Sequence, residues 1–414
     1  MLTALDRVAA WPLFCCSFRP LFLATALQGA FGIALWMSFL ESGLLVPPVA
    51  GGPVAWHAHE LVFGFGMAAV AGFVLTAAPE FTGTPAFGSR IALAATLLWI
   101  AGRIAFWASG LLGPWPALAS NLALAVMLLA LVGPRILADP DRRHLGFLSG
   151  LAVLALLVGG YHVAAVSGGD PLPWARAGVG AMMALIVVAM SRISMRIVND
   201  ALDAARAAEN DLVDRPVYLA RPPRRKLAIA TISAHTVAEF FMPGSAVMGW
   251  LALAAAAGTL NLLNDWHVGR PLFGRWPLTL YAVYWLMALG YALIGASALA
   301  GGIAPSAGLH LLTVGAMGLS TLAVLCIAGR VHAGYPLDER PWTAACAVAV
   351  VVAALSRAAA GVPGAPMGAL HLVSSAAWCG AFGWYLVRMT GVLSAPRTDG
   401  REGCDEAASM NGPG

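Results

Sequence analysis

The sequence predicts an all-α, polytopic integral membrane protein of about 12 transmembrane helices. Three observations carry that prediction: a composition too apolar for a water-facing surface, apolar runs of bilayer length, and basic residues gathered on one set of turns. Hydrophobic residues make up 60% of the 414-residue chain and charged ones 11%, less than half the charged share of an ordinary soluble domain. The mean hydropathy is +0.79. A helix crosses the hydrocarbon of a bilayer with about 20 residues. Runs of that length lie near 20–40, 57–78, 89–112, 116–137, 145–167, 174–191, 226–243, 246–263, 277–299, 304–328, 341–360 and 366–391. The pair at 226–243 and 246–263 is divided only by Met242-Pro243-Gly244 and also reads as one re-entrant hairpin.

Orientation follows from the loops, because short cytoplasmic loops carry the Lys and Arg excess. Of the 24 basic residues, all but Arg103, Arg176 and Arg357 fall on the side of the two termini. Both termini are therefore expected in the cytoplasm. The long polar stretch 192–225 divides a first six-helix half, 1–191, from a second, 226–393. It is expected to be a basic cytoplasmic connector, of which residues 200–214 read either as solvated chain or as a short surface helix. Residues 394–414 are polar and Gly-rich and are expected to be a disordered cytoplasmic tail. The only internal echo is Val179-Gly180-Ala181-Met182 against Val314-Gly315-Ala316-Met317.

The net charge of +4 comes with no basic arm, so nucleic acid is not an expected partner and the lipid bilayer is. The six cysteines show no CxxC or CxxCH spacing, which argues against a zinc knuckle or covalent haem attachment and leaves them as small buried residues. No catalytic, nucleotide, nicotinamide or quinone motif stands out.

The histidines are the chemical signal. Three of the nine, His144, His267 and His332, fall on the cytoplasmic side. His57 and His59 open the second span at its outer end. His162, His310 and His371 lie five or six residues inward from outer boundaries, about 8–9 Å at 1.5 Å per residue. His235 lies deeper. Imidazoles from several helices at one level are what a metal or haem site in a bundle needs, although any single one is more often a hydrogen-bonded packing residue than a ligand. His57 and His59 can share a site only if the helix starts between them, since residues two apart point about 200° away from each other. Glu60 would either cap that helix or fix a histidine tautomer. Arg103, mid-span, needs a partner: Trp99 and Trp107, four residues to either side, offer a cation–π clamp, and an anion is the alternative.

Several segments resemble the NnrS family of bacterial membrane proteins. The likeness runs through Ser17-Phe18-Arg19-Pro20-Leu21-Phe22-Leu23, Trp56-His57-Ala58-His59-Glu60-Leu61-Val62-Phe63-Gly64-Phe65, Gly72-Phe73-Val74-Leu75-Thr76-Ala77-Ala78-Pro79 and Leu98-Trp99-Ile100-Ala101-Gly102-Arg103, then His310-Leu311-Leu312-Thr313-Val314-Gly315-Ala316-Met317-Gly318 and Pro396-Arg397-Thr398-Asp399-Gly400. The chain departs from the family pattern at Glu80, in Pro79-Glu80-Phe81-Thr82-Gly83, after the sixth span, in Ser191-Arg192-Ile193-Ser194-Met195-Arg196, and around His332, in Val331-His332-Ala333-Gly334.

The resemblance implies a bacterial inner-membrane protein that binds haem and copper and is linked to nitric oxide, nitrosative stress and denitrification. Joined to the histidine layer, it gives His57, His59 and His310 as the leading metal or haem ligands. His162 is added for metal, His371 and Arg103 for the cofactor, and Glu60 for support behind the ligands. The alternative from another class is a secondary transporter of a metal ion or small anion, with Arg103 and His235 as coupling groups.

Overall fold

The computed structural model describes residues 4–44, 46–209, 217–401 and 403–404. Every regular element among them is helical, as the composition requires of a chain that must satisfy its backbone inside lipid. The long helices are α1 Phe18–Ser42, α2 Gly52–Thr82, α3 Ser89–Trp107, α4 Trp115–Ala138, α5 Leu145–Val166, α6 Leu172–Glu209, α7 Pro222–Phe241, α8 Ala246–Leu262, α9 Arg275–Ala300, α10 Pro305–Val331, α11 Pro341–Ala359 and α12 Met367–Ser394. Proline opens α7, α10 and α11, at positions where its missing N–H would have no helical partner. Glycine in the left-handed conformation closes α1 at Gly43 and α2 at Gly83.

Eleven helices among the described residues are long and apolar enough to cross a membrane. Of the twelve, α7 is the one outside that set. It has 20 residues, but Arg224, Arg225, Lys226, His235 and Glu239 dilute its apolar face. The stretch 226–263 forms two helices, α7 and α8, separated by a turn at residues 242–245.

Two helices change winding partway. In α2, residues Glu60–Gly66 form a π-helical segment directly after His59, and in α10, Leu311–Met317 do so directly after His310. A π segment spends about one extra residue per turn, so the helix beyond it is rotated relative to the helix before it. The internal correspondence in the structure is therefore between these two seven-residue stretches. Residues 179–182, the other half of the sequence echo, are regular α-helix.

The chain forms two compact units, one of residues 1–178, 324–338 and 379–414, the other of 179–323 and 339–378. In the first, α1 packs on α2, α2 on α4, and α4 on both α3 and α5. Phe18, Phe22, Trp56, Phe63, Phe65 and Tyr161 are fully buried there. A Cβ on Gly72 would come within 2.9 Å of the Phe22 ring, so glycine is what allows α1 and α2 to approach this closely. In the second unit α8 packs against α7 and α9, and α9 against α10. Small residues again carry the close contacts, with Gly258 against Thr231 and Gly295 against Leu253.

Two expectations change at the polar end. The stretch expected to be a connector begins as the continuation of α6, whose 38 residues extend about 57 Å, well beyond a bilayer core. Residues 200–209 complete that helix, and 210–214 lie outside the described residues. Beyond them Tyr218 is fastened to α6: its N–H donates to Asn199 Oδ1 at 2.8 Å and its carbonyl accepts from Asn199 Nδ2 at 3.1 Å. Burial pushes the Tyr218 phenol above its ordinary range.

The described part of the tail is held in place. Arg397 pairs with Asp399, the Thr398 hydroxyl donates to Gly334 O at 2.8 Å, and buried Arg19 donates to Leu393 O at 3.2 Å. A disulfide joins Cys16 to Cys404, so these two are cross-linked rather than merely small buried residues. Charge pairing and backbone contacts thus order residues that composition alone left free. Residues 405–414 lie outside the described ones.

Candidate functional site

The site begins with the register of α2. His57 and His59 both belong to its opening α-helical stretch, Gly52–His59, so no helix start falls between them and they face different neighbours. His57 stacks on Trp36 of α1 with ring centroids 4.4 Å apart. His59, fully buried, stacks on Phe106 of α3 at 3.7 Å. Its Nε2 lies 3.1 Å from Nε2 of His162 on α5. The structure therefore brings His59 and His162 together and directs His57 elsewhere.

Glu60 supports this pair. Helix α2 runs continuously through it, so Glu60 is no cap. Its carboxylate is fully buried and meets four donors. Oε1 lies 3.0 Å from His59 Nδ1 and accepts from Arg103 Nη1 at 2.7 Å; Oε2 accepts from Gln28 Nε2 at 2.7 Å and from Trp107 Nε1 at 2.8 Å. Arg103 also donates to Asn121 Oδ1 through Nη2. Asn121 in turn donates to Ala117 O at 2.8 Å. The carboxylate and guanidinium cancel in charge, and their remaining hydrogen-bonding capacity is largely met by neutral groups, which is the condition for keeping ions this deeply buried.

The anion that Arg103 requires is thus Glu60. Trp99 lies under the guanidinium at 5.9 Å from its ring centroid, and its indole N–H donates to Gly64 O at 2.9 Å. Trp107 acts as a donor to the carboxylate. Gly64, inside the π segment, makes the arrangement possible: a Cβ there would fall 2.6 Å from Arg103 Nη1.

Gln28 and Asn121 were not singled out in the sequence. Each is an amide within an apolar run, and that rarity at membrane depth was the available signal. Phe106 and Tyr161, which wall the histidine pair, carry no such mark. The Tyr161 hydroxyl donates to Ala55 O at 2.8 Å, which fixes α5 against the start of α2.

The chemistry follows from the tautomer. With Nδ1–H of His59 donated to Glu60, the Nε2 lone pair points at His162, a carboxylate–histidine arrangement that recurs behind metal-bound imidazoles. Nitrogens 3.1 Å apart can share one proton, or can bind one ion through bonds of about 2.0 Å. The pair therefore fits a copper ion as two of its ligands. Among the described residues, no three His, Cys, Asp or Glu side chains gather as a metal-binding group.

The other candidates lie apart from this arrangement in the chain. His310, at the end of the opening turns of α10, has Nδ1 2.7 Å from Ser306 O. His371, in α12, is half-buried. Two of the departures from the family pattern meet each other, His332 Nδ1 lying 3.3 Å from Glu80 Oε1 and 3.0 Å from Cys404 O.

Compared with known proteins, residues 12–397 match the NnrS protein family. No curated protein matches the chain.

Proposed function

Since the chain belongs to the NnrS family, we propose that it is a metal-binding inner-membrane protein that helps a bacterium tolerate nitric oxide during nitrosative stress or denitrification. The observation that carries this reading is the pair of buried imidazoles, His59 Nε2 and His162 Nε2, 3.1 Å apart. A copper ion bound there would supply a redox-active Lewis acid able to take a diatomic ligand. The protein's own contribution is orientation and exclusion of water. Glu60 holds the His59 ring in the tautomer that presents Nε2, Arg103 neutralises Glu60, and Phe106 and Tyr161 close the pair off from solvent. Haem rests on the family resemblance alone.

The test is an ultraviolet–visible spectrum, metal analysis and nitric oxide titration of detergent-purified protein. Copper near one equivalent, lost in His59→Ala and His162→Ala, supports the reading. Wild type free of both copper and haem after expression with both supplied removes it. A second reading, a secondary transporter of a metal ion or small anion, is favoured by the matched π segments of α2 and α10, since irregular helices often line membrane binding sites. Ion uptake into proteoliposomes, abolished by Arg103→Gln, would favour it.

A further inference from the structure

The second unit contains a polar cluster that the proposed function does not use. His235 on α7 is buried, and its Nδ1 lies 3.4 Å from Met248 O of α8. One turn along α7, Glu239 Oε2 lies 3.6 Å from His235 Nε2, with the two side chains 2% and 20% exposed. Tyr291 of α9 sets its ring edge-on to His235, centroids 5.3 Å apart. Tyr291 is 1% exposed, and its hydroxyl has no hydrogen-bond partner among the described residues. The Glu239 carboxylate is near enough to act electrostatically on that phenol.

These groups are mismatched as they stand. An Nδ1–H donated to the Met248 carbonyl leaves Nε2 with a lone pair, and that lone pair faces a carboxylate oxygen. Two acceptors opposed at 3.6 Å repel unless a proton or a metal ion is shared between them. A buried phenol without a partner bears the full cost of its lost hydration, so it too calls for a ligand. His and Glu at i and i+4 share one face of a helix, which is the spacing by which a single helix grips a metal ion with two side chains.

We propose that His235, Glu239 and Tyr291 form a binding site for a divalent transition-metal ion, built wholly within the second unit. Imidazole, carboxylate and phenol oxygen are ligands for zinc, copper and iron rather than for calcium or magnesium. The Met248 carbonyl orients the imidazole, as backbone carbonyls do behind metal-bound histidines. Glu239, the most exposed of the three, is the entry side. It lies close to the turn at residues 242–245, which the loop charges assign to the outer face.

The experiment is a cobalt(II) titration of the full chain in detergent after treatment with chelator, read by visible absorption and repeated with zinc as competitor. Wild type is expected to bind with ligand-field bands that zinc abolishes. Glu239→Gln and Tyr291→Phe keep side-chain shape and are expected to weaken binding at this site at least tenfold, while His162→Ala loses only the part of the bands that the His59–His162 pair contributes. Size-exclusion and melting profiles like those of wild type show that both variants fold, so the outcome does not depend on His235→Ala being stable. Absence of bands in wild type, or titrations of Glu239→Gln and Tyr291→Phe that overlay it, would overturn the site. Bands lost in His162→Ala but kept in those two variants would assign the metal to the first unit instead and overturn it equally.

Discussion

Glu60 and Arg103, 43 residues apart in the chain, meet at 2.7 Å with side chains 0% and 9% exposed. Removing one partner of such a pair leaves an uncompensated buried charge, which costs about 3–5 kcal/mol. Arg103→Gln and Glu60→Gln are therefore each expected to lower the detergent melting temperature sharply. Removing both should cost less than the sum of the single changes. Additive losses in a double-mutant cycle would show that the two charges are not coupled.

The π segment of α2 yields a steric prediction. Gly64→Ala places a methyl 2.6 Å from Arg103 Nη1, and relieving the overlap means moving a guanidinium already held by Glu60 and Asn121. Overpacking of this kind costs about 1–3 kcal/mol. Thermal unfolding of Gly64→Ala beside Gly43→Ala, where a Cβ meets nothing within 4 Å but φ is +68°, separates crowding from backbone strain. A Gly64→Ala variant as stable as wild type would mean that Arg103 is not confined.

The two neighbouring histidines are expected to behave differently. His59→Ala and His162→Ala should each remove bound copper, because their Nε2 atoms face one another. His57→Ala should keep it, since that ring stacks on Trp36. Metal analysis of the three purified variants decides the matter, and copper loss in His57→Ala alone contradicts the assignment.

The tail anchor carries a pH dependence. Hydrogen bonding from Arg397 holds the Asp399 carboxyl below its usual range. A carboxyl depressed on folding contributes stability that is present above its unfolded pKa of about 3.9 and is lost as pH falls through the lower folded value. Protection of the Thr398 amide, bonded to Ala333 O at 3.3 Å, should therefore persist from neutral pH to below about pH 4 and fail only in stronger acid. Asp399→Asn should weaken it at every pH at which the wild type is protected. Hydrogen exchange corrected for its intrinsic pH dependence measures both, and loss of protection already near pH 6 would exclude Asp399 as the controlling group.

Composition and run length were enough to establish the class and most of the helix ends. A run such as Leu145–Val166 must be a helix in lipid, because nothing else satisfies its backbone there. Proline and glycine mark where several of these runs begin and stop. Arg103, Glu60 and the intramembrane histidines were equally legible, since charged and polar groups among apolar residues stand out by residue type alone.

Which of those groups meet is a property of the packed helices. His59 and His57 are two residues apart and equally polar, yet one faces His162 and the other Trp36, because helical phase fixes direction and the packing of α1, α3 and α5 around α2 decides what lies in each direction. Gln28, Asn121 and Phe106 belong to the site for the same reason: contact depends on rotation and depth of neighbouring helices, and a one-dimensional pattern of apolar residues carries neither. The extra residue of the π segment after His59 further shifts that phase by an amount no hydrophobic periodicity records.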